Sequence, residues 1–338
     1  IIDRPVKYIL WSDYVKAPFP YFGGKSTVAD TIWNALGADV VNYVEPFAGS
    51  LAVLLARPGG AGRTETVNDF DGLLSNVWRS MQVAPEAVAE HADWPVNECD
   101  LHARHLWLVG QRESLTARLM GNPDWFDVKA AGWWIWGACA WIGSGWCSGN
   151  GPWVSVDGEL VDRRQLPHVG NAGQGINRKL PHVGNAGQGI NRQLPHVGDA
   201  GRGEYIKEMF VEIGARLRNV RVACGDFERV LGTSTTTRHG VTGVFLDPPY
   251  DAGNRDPYAV DTNGVARRAA EWCLMNGADP RLRIVLAGYE GEHDRYGLEI
   301  FGWRKVAWKA RGGFGSQGKG TGRENSAREI LWLSPSCN

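Results

Sequence analysis

The chain alternates between short apolar runs rich in β-branched residues and longer stretches with helical spacing, the pattern of an α/β protein. Val40-Val41-Asn42-Tyr43-Val44 predicts a first strand and Glu65-Thr66-Val67-Asn68-Asp69 a second. Val220 to Cys224, Val241 to Leu246 and Arg283 to Ala287 predict three more. Trp303 to Lys309 and Glu329 to Leu333 read as a closing antiparallel pair. Val28, Ile32 and Leu36 recur at helical steps, with Ser26 placed to cap the helix they define. Leu51 to Ala56, Gln111 to Leu119 and Glu204 to Leu217 predict further helices.

Chemistry-bearing residues gather where the strands stop. The first strand runs into Glu45-Pro46-Phe47-Ala48-Gly49-Ser50, an acidic residue and a small-residue loop ahead of a helix. This is the first crossover of a nucleotide- or nucleoside-binding α/β unit. It is not a phosphate loop, because it lacks the Gly-Lys-Ser/Thr ending and Glu45 would repel phosphate. Asp69 ends the second strand, where two readings stand: a partner for ribose hydroxyls or a helix N-cap. Gly225-Asp226-Phe227 ends another strand, and there a carboxylate and a ring suit an adenine moiety. Asp247-Pro248-Pro249-Tyr250 ends the next one. Two successive prolines donate no ladder hydrogen bonds and fix their own φ, so the strand must stop. The carboxylate, constrained carbonyl and flat ring of that turn suit an exocyclic amino group on a planar base; an ordinary strand-terminating turn is the alternative. Upstream, Tyr21-Phe22-Gly23-Gly24-Lys25 combines close backbone approach with a cation.

In their order and spacing, Tyr21 to Lys25, Glu45 to Ser50, Asp69 and Asp247 to Tyr250 give the chain a resemblance to the Dam-like DNA adenine-N6 methyltransferases. It covers roughly residues 18–75 and 206–333. One departure is Leu51, where that family usually carries a second loop glycine. The resemblance implies a Rossmann-like class I fold dependent on S-adenosylmethionine (AdoMet), with a mostly parallel sheet and a terminal antiparallel strand. It implies a catalytic domain from 1–76 and 206–338, and a target-recognition region inserted at 77–205. AdoMet would be the methyl donor, without a metal, and double-stranded DNA the substrate, methylated at N6 of a flipped-out adenine. Asp247, Pro248, Pro249 and Tyr250 would then be catalytic. Tyr21, Lys25, Glu45, Phe47, Gly49, Asp69, Asp226, Phe227 and Asp247 would form the cofactor site. Cytosine-N4 methylation, an RNA substrate and a non-catalytic DNA-binding role on the same scaffold stay open as alternatives.

The middle of the chain is different in texture. Asp127 to Trp153 is crowded with Trp133, Trp134, Trp136, Trp141, Trp146 and Trp153. Helical spacing makes core packing one reading of these rings; stacking on nucleotides by those near Trp146 to Trp153 is the other. LPHVGNAGQGINR then occurs twice, at Leu166 to Arg178 and Leu180 to Arg192, and Leu194 to Gly198 opens a decayed third copy. Its glycines and proline oppose helix and strand, so a spacer loop over 166–205 is expected. Arg163, Arg164, Arg178, Lys179, Arg192 and Arg202 stand against Asp199 there, which suits loose contact with a phosphate backbone. The recurring His168, His182 and His196 lack recurring Cys or acidic partners, so no metal site is expected. From Arg304 to Arg328 the glycine-rich chain has seven basic residues and one acid, a second candidate phosphate-gripping segment.

Composition narrows the partners. A net charge of −1 over 338 residues means that any nucleic acid must be held by local basic patches. The six cysteines contain no CxxC pair, which favours a reducing compartment, the cytoplasm of a bacterium or of a phage-infected host. No apolar run approaches the ~18 residues of a membrane span. Ile1 to Tyr14 lacks the layout of a secretory signal, and with no opening Met an earlier start is expected. Oligomeric state and any partner nuclease are not legible.

Overall fold

A computed structural model describes residues 15–21, 23–59, 64–141, 146–147, 153–156, 159–162, 203–249, 264–308 and 329–338. In chain order its strands are β1 (Asn42–Glu45), β2 (Thr64–Asp69), β3 (Trp153–Val156), β4 (Glu159–Asp162), β5 (Val220–Cys224), β6 (Thr242–Leu246), β7 (Leu282–Tyr289), β8 (Arg304–Ala307) and β9 (Glu329–Leu333). Its helices are α1 (Ala29–Leu36), α2 (Ala52–Leu55), α3 (Gly72–Val83), α4 (Pro85–Ala92), α5 (Glu98–Gly121), α6 (Val128–Ala140), α7 (Gly203–Leu217) and α8 (Val265–Asn276).

Seven strands form one sheet in the order β5-β2-β1-β6-β7-β9-β8, and β3 pairs with β4 separately. The five strands from β5 to β7 are mutually parallel, while β9 runs antiparallel to both β7 and β8. This mostly parallel sheet is compatible with a methyltransferase fold. The chain winds from β1 outward through β2 to β5, then returns to the other side of β1 with β6. The switch point therefore lies between β1 and β6, where α/β sheets open a crevice beyond their strand ends.

Period-two alternation builds the two faces. Phe245, Val285, Ala287, Leu331 and Leu333 join a core with α1, α2, α3 and α7. Val244, Leu246, Ile284, Leu286, Ile330 and Trp332 face α8 through Ala269, Ala270 and Cys273. Strands buried on both faces read as continuous apolar runs, which is why they were visible in the sequence.

The expected boundary at 76/77 falls inside α3. Val77, Trp78, Met81, Val88, Leu108, Leu115, Ala131, Trp134 and Ile135 share the larger core with the sheet. The tryptophan-rich stretch is largely α6: Trp134, Trp136 and Trp141 are buried. Trp146 is half-buried against Gly137, and its Nε1 donates to the Trp134 carbonyl at 2.9 Å. The side chain of Trp153, the repeats with His168, His182 and His196, and the basic stretch 311–328 lie outside the described residues.

Several local expectations are corrected. Ser26 is exposed and does not cap α1; the N-cap is Val28, whose amide is already bonded to the Lys25 carbonyl at 3.0 Å. The second helix contracts to Ala52–Leu55 because Leu51 takes a left-handed conformation, φ 56°. Gln111 to Leu119 is the end of a 24-residue helix. Val40 turns back onto the Gly37 carbonyl, so β1 begins two residues later. Trp303 packs on Gly277 ahead of β8.

Candidate functional site

A cavity of about 240 Å³ opens at the carboxyl ends of β1, β2, β5 and β6. Its wall carries Tyr21, Lys25, Glu45, Phe47, Gly49, Asp69, Asp226, Phe227, Asp247 and Pro249. Pro248 is buried and is not among the residues lining the cavity. Tyr250 lies outside the described residues. Residues far apart in sequence thus meet because four parallel strands deliver their ends to one side of the sheet.

Backbone geometry fixes the floor. Gly49 has φ 47°, and a Cβ there would sit 2.9 Å from the Tyr21 ring, so glycine serves both conformation and space. Its amide donates to Asp69 Oδ2 at 3.1 Å and its carbonyl accepts from Trp78 Nε1 at 3.1 Å. Buried Asn68 donates to the carbonyls of Pro46, at 3.0 Å, and Gly225, at 2.9 Å. One amide side chain therefore ties the loops after β1 and β5 to the end of β2. Asp71, not Asp69, caps α3 by accepting from the Leu73 amide, and Arg112 braces it at 3.3 Å.

The carboxyl groups differ in their surroundings. Glu45 is buried and accepts from the Tyr43 hydroxyl at 3.0 Å; burial outweighs that bond and pushes its carboxyl up to about 8. Burial likewise pushes Asp69 up to about 7, against the opposing effect of the Asp71 and Gly49 amides. Asp247 lies 2.9 Å from the Lys25 ammonium, which also donates to the Gly23 carbonyl at 2.6 Å. Glu329 approaches the same ammonium at 3.8 Å, and the Trp308 ring lies 5.9 Å from it. Both Asp226 carboxylate oxygens accept from Arg268 Nη2, at 2.7 and 2.8 Å, while Arg268 Nε donates to Glu228 at 2.8 Å. Arg268 also covers the Phe227 ring, which stacks on Phe47 with centroids 5.0 Å apart.

Sequence reasoning missed Asn68, Phe70, Arg268 and Glu329. Phe70 is exposed on the cavity wall directly after Asp69. Asn68 and Glu329 carried a signal, a polar side chain inside an apolar strand. Arg268 carried none, since its helix position fits any solvated face. Among the described residues no group of His, Cys, Asp and Glu is arranged to hold a metal ion, and no helix is long and apolar enough to cross a membrane. All six cysteines are free thiols.

The cavity is a crevice at the switch point of a doubly wound α/β sheet, walled by acidic side chains and aromatic rings. Residues 21–95 match the family model of the D12 class N6 adenine-specific DNA methyltransferases. That span runs from Tyr21 through β1, the Gly49 loop, β2 and α3 past the end of α4, and so holds 16 of the 24 residues that line the cavity. None of the curated proteins matches the chain.

Proposed function

We propose that the protein transfers a methyl group from AdoMet to N6 of adenine in double-stranded DNA. The observation that carries this reading is the Asp247 carboxylate, held 2.9 Å from Lys25 on the wall of the cavity that Gly49 and Asp69 floor. The match at residues 21–95 supports adenine as the base.

The wall suits such a donor. Glu45 and Asp69 offer carboxyls for a cationic amino group and ribose hydroxyls, and the Phe47–Phe227 stack offers a flat apolar surface for a purine. Bound AdoMet supplies an electrophilic methyl group on a sulfonium, so no strong base is required. The chain's own work is positioning and electrostatics. Adenine N6 is paired and stacked inside a duplex, so the base must leave the helix to reach Asp247. Asp247 and the Pro248 carbonyl accept the N6 hydrogens and turn the nitrogen lone pair out of conjugation. Tyr250 stacks on the flipped ring. As the N–C bond forms and the C–S bond breaks, N6 gives up one proton, for which Asp247 is the adjacent acceptor. Target reading falls to parts of 77–205, and the basic stretches near 163–202 and 304–328 track phosphates.

The test is Asp247→Ala with tritiated AdoMet and an adenine-containing duplex. Loss of more than about 100-fold in methyl transfer is expected. Undiminished transfer, or a digest yielding a modified base other than N6-methyladenine, would sink the reading.

A further inference from the structure

Strand β9 reads Glu-Ile-Leu-Trp-Leu and is buried throughout, so its single ionisable side chain breaks the pattern. Glu329 lies at the start of the strand, opposite Tyr289 of β7, on the sheet face that carries Leu331 and Leu333. Its side chain is 8% exposed, and its Oε2 has no hydrogen-bond partner among the described residues. A carboxyl buried this way needs a compensating cation. Among the described residues the cation it approaches is Lys25, 3.8 Å away, itself 4% exposed and closer to Asp247 at 2.9 Å. Two carboxyls of unequal distance and burial thus compete for one buried ammonium, and only Asp247 faces the cavity.

We propose that Glu329 is a positioning residue that regulates methyl transfer through Lys25. Ionised, it shares the ammonium and leaves the Asp247 carboxylate available to the N6 hydrogens and to the departing proton. Neutral, it surrenders the ammonium to Asp247 and weakens that carboxylate as an acceptor. This rests on the methyl-transfer reading of the cavity. Among the described residues, the groups that face Glu329 are Lys25 from the loop before α1, Asp247 from the end of β6, Tyr289 on β7 and Trp308 after β8. Of these, Lys25 and Asp247 carry charge. Burial pushes the Glu329 carboxyl up to about 7, with Lys25 opposing and Asp247 reinforcing, so the exchange falls near neutral pH. The rate is therefore expected to rise with pH as Glu329 ionises.

The experiment measures tritiated methyl transfer at saturating AdoMet and duplex from pH 6 to 8.5 for wild type, Glu329→Gln and Glu329→Asp. Wild-type kcat should climb roughly tenfold across pH 7, in the manner of an essential carboxylate. Glu329→Gln should stay at the low plateau with AdoMet affinity within twofold of wild type, and Glu329→Asp should recover the climb. A Glu329→Gln curve that parallels wild type overturns the proposal. Carbon-13 spectra of labelled carboxyl groups read the coupling without turnover. The Glu329 titration should move down in Asp247→Asn and up in Lys25→Met. An unmoved titration overturns the proposal whatever the activity. Movement in a protein that transfers no methyl group upholds the coupling and overturns only the methyl-transfer reading.

Discussion

The amide of Gly49 donates to Asp69 Oδ2 across 3.1 Å, so the loop after β1 is fastened to the tip of β2. The same loop is crowded from the other side by the Tyr21 ring. Gly49→Ala therefore has to displace that ring and force an alanine into a left-handed conformation, a cost of about 1–2 kcal/mol. Calorimetric titration with AdoMet should show affinity at least about tenfold weaker, with the far-ultraviolet spectrum intact. A change below threefold would count against this loop as the cofactor floor.

Leu51 bears the same kind of strain without glycine's freedom. Its φ is 56°, yet its side chain is fully buried. Truncation should cost roughly 2–5 kcal/mol through the cavity left behind. The order of two variants is more informative than the loss. Leu51→Gly is expected to be more stable than Leu51→Ala by about 1 kcal/mol, because only glycine relieves the left-handed strain. Urea unfolding of both variants measures the difference, and the reverse order would refute the assignment of strain.

Glu45 makes stability fall as pH rises. Its folded carboxyl is pushed up to about 8 from an ordinary value of 4.5. The unfolded chain therefore loses this proton first. Folding is favoured most below pH 4.5, and that advantage disappears as pH approaches 8. Glu45→Gln keeps an oxygen for the Tyr43 hydroxyl and removes the titration. It should match wild type near pH 4.5 and exceed it at pH 8.5 by roughly 2–4 kcal/mol, after discounting for relaxation of a buried site. Equal unfolding curves at both pH values would rule the effect out.

Glu65 is an ion-paired carboxylate. It is buried between Arg57, at 3.0 Å, and Arg216, at 2.6 and 2.8 Å. Glu65→Gln removes the negative charge between buried Arg57 and partly buried Arg216, which keep their bonds to the Val40 and Leu54 carbonyls and the neutral amide, and should lower stability by about 3 kcal/mol. The midpoint of urea unfolding at pH 7 reports it.

The strands and the acidic or aromatic residues at their ends were legible because each strand is buried on both faces and then stops abruptly. β5 agrees with its sequence reading residue for residue, and β6 to within one. Helix starts were less legible, since backbone turns at Lys25 to Val28 and at Leu51 took over work usually done by side-chain caps. What held the site together was not legible. The partners Lys25 and Glu329, or Asp226 and Arg268, lie tens to hundreds of residues apart, and no local pattern links them. The expected 76/77 boundary lies within α3, and Val88, Leu108, Ala131 and Trp134 beyond it share the larger core with the sheet, a long-range packing that no local pattern announces.

The sheet order also has a consequence for synthesis on the ribosome. Strand β9 emerges after β8, yet it must lie between β8 and β7. Until it arrives, β8 has no partner in this sheet and the edge of β7 stays open, a template for unwanted pairing. A nascent chain halted before residue 329 would already own the Gly49 loop, Asp69 and Asp247. It would lack the second carboxyl beside Lys25. The protein is thus expected to assemble the cavity of Gly49, Asp69 and Asp247 early and to bring Glu329 beside Lys25 last.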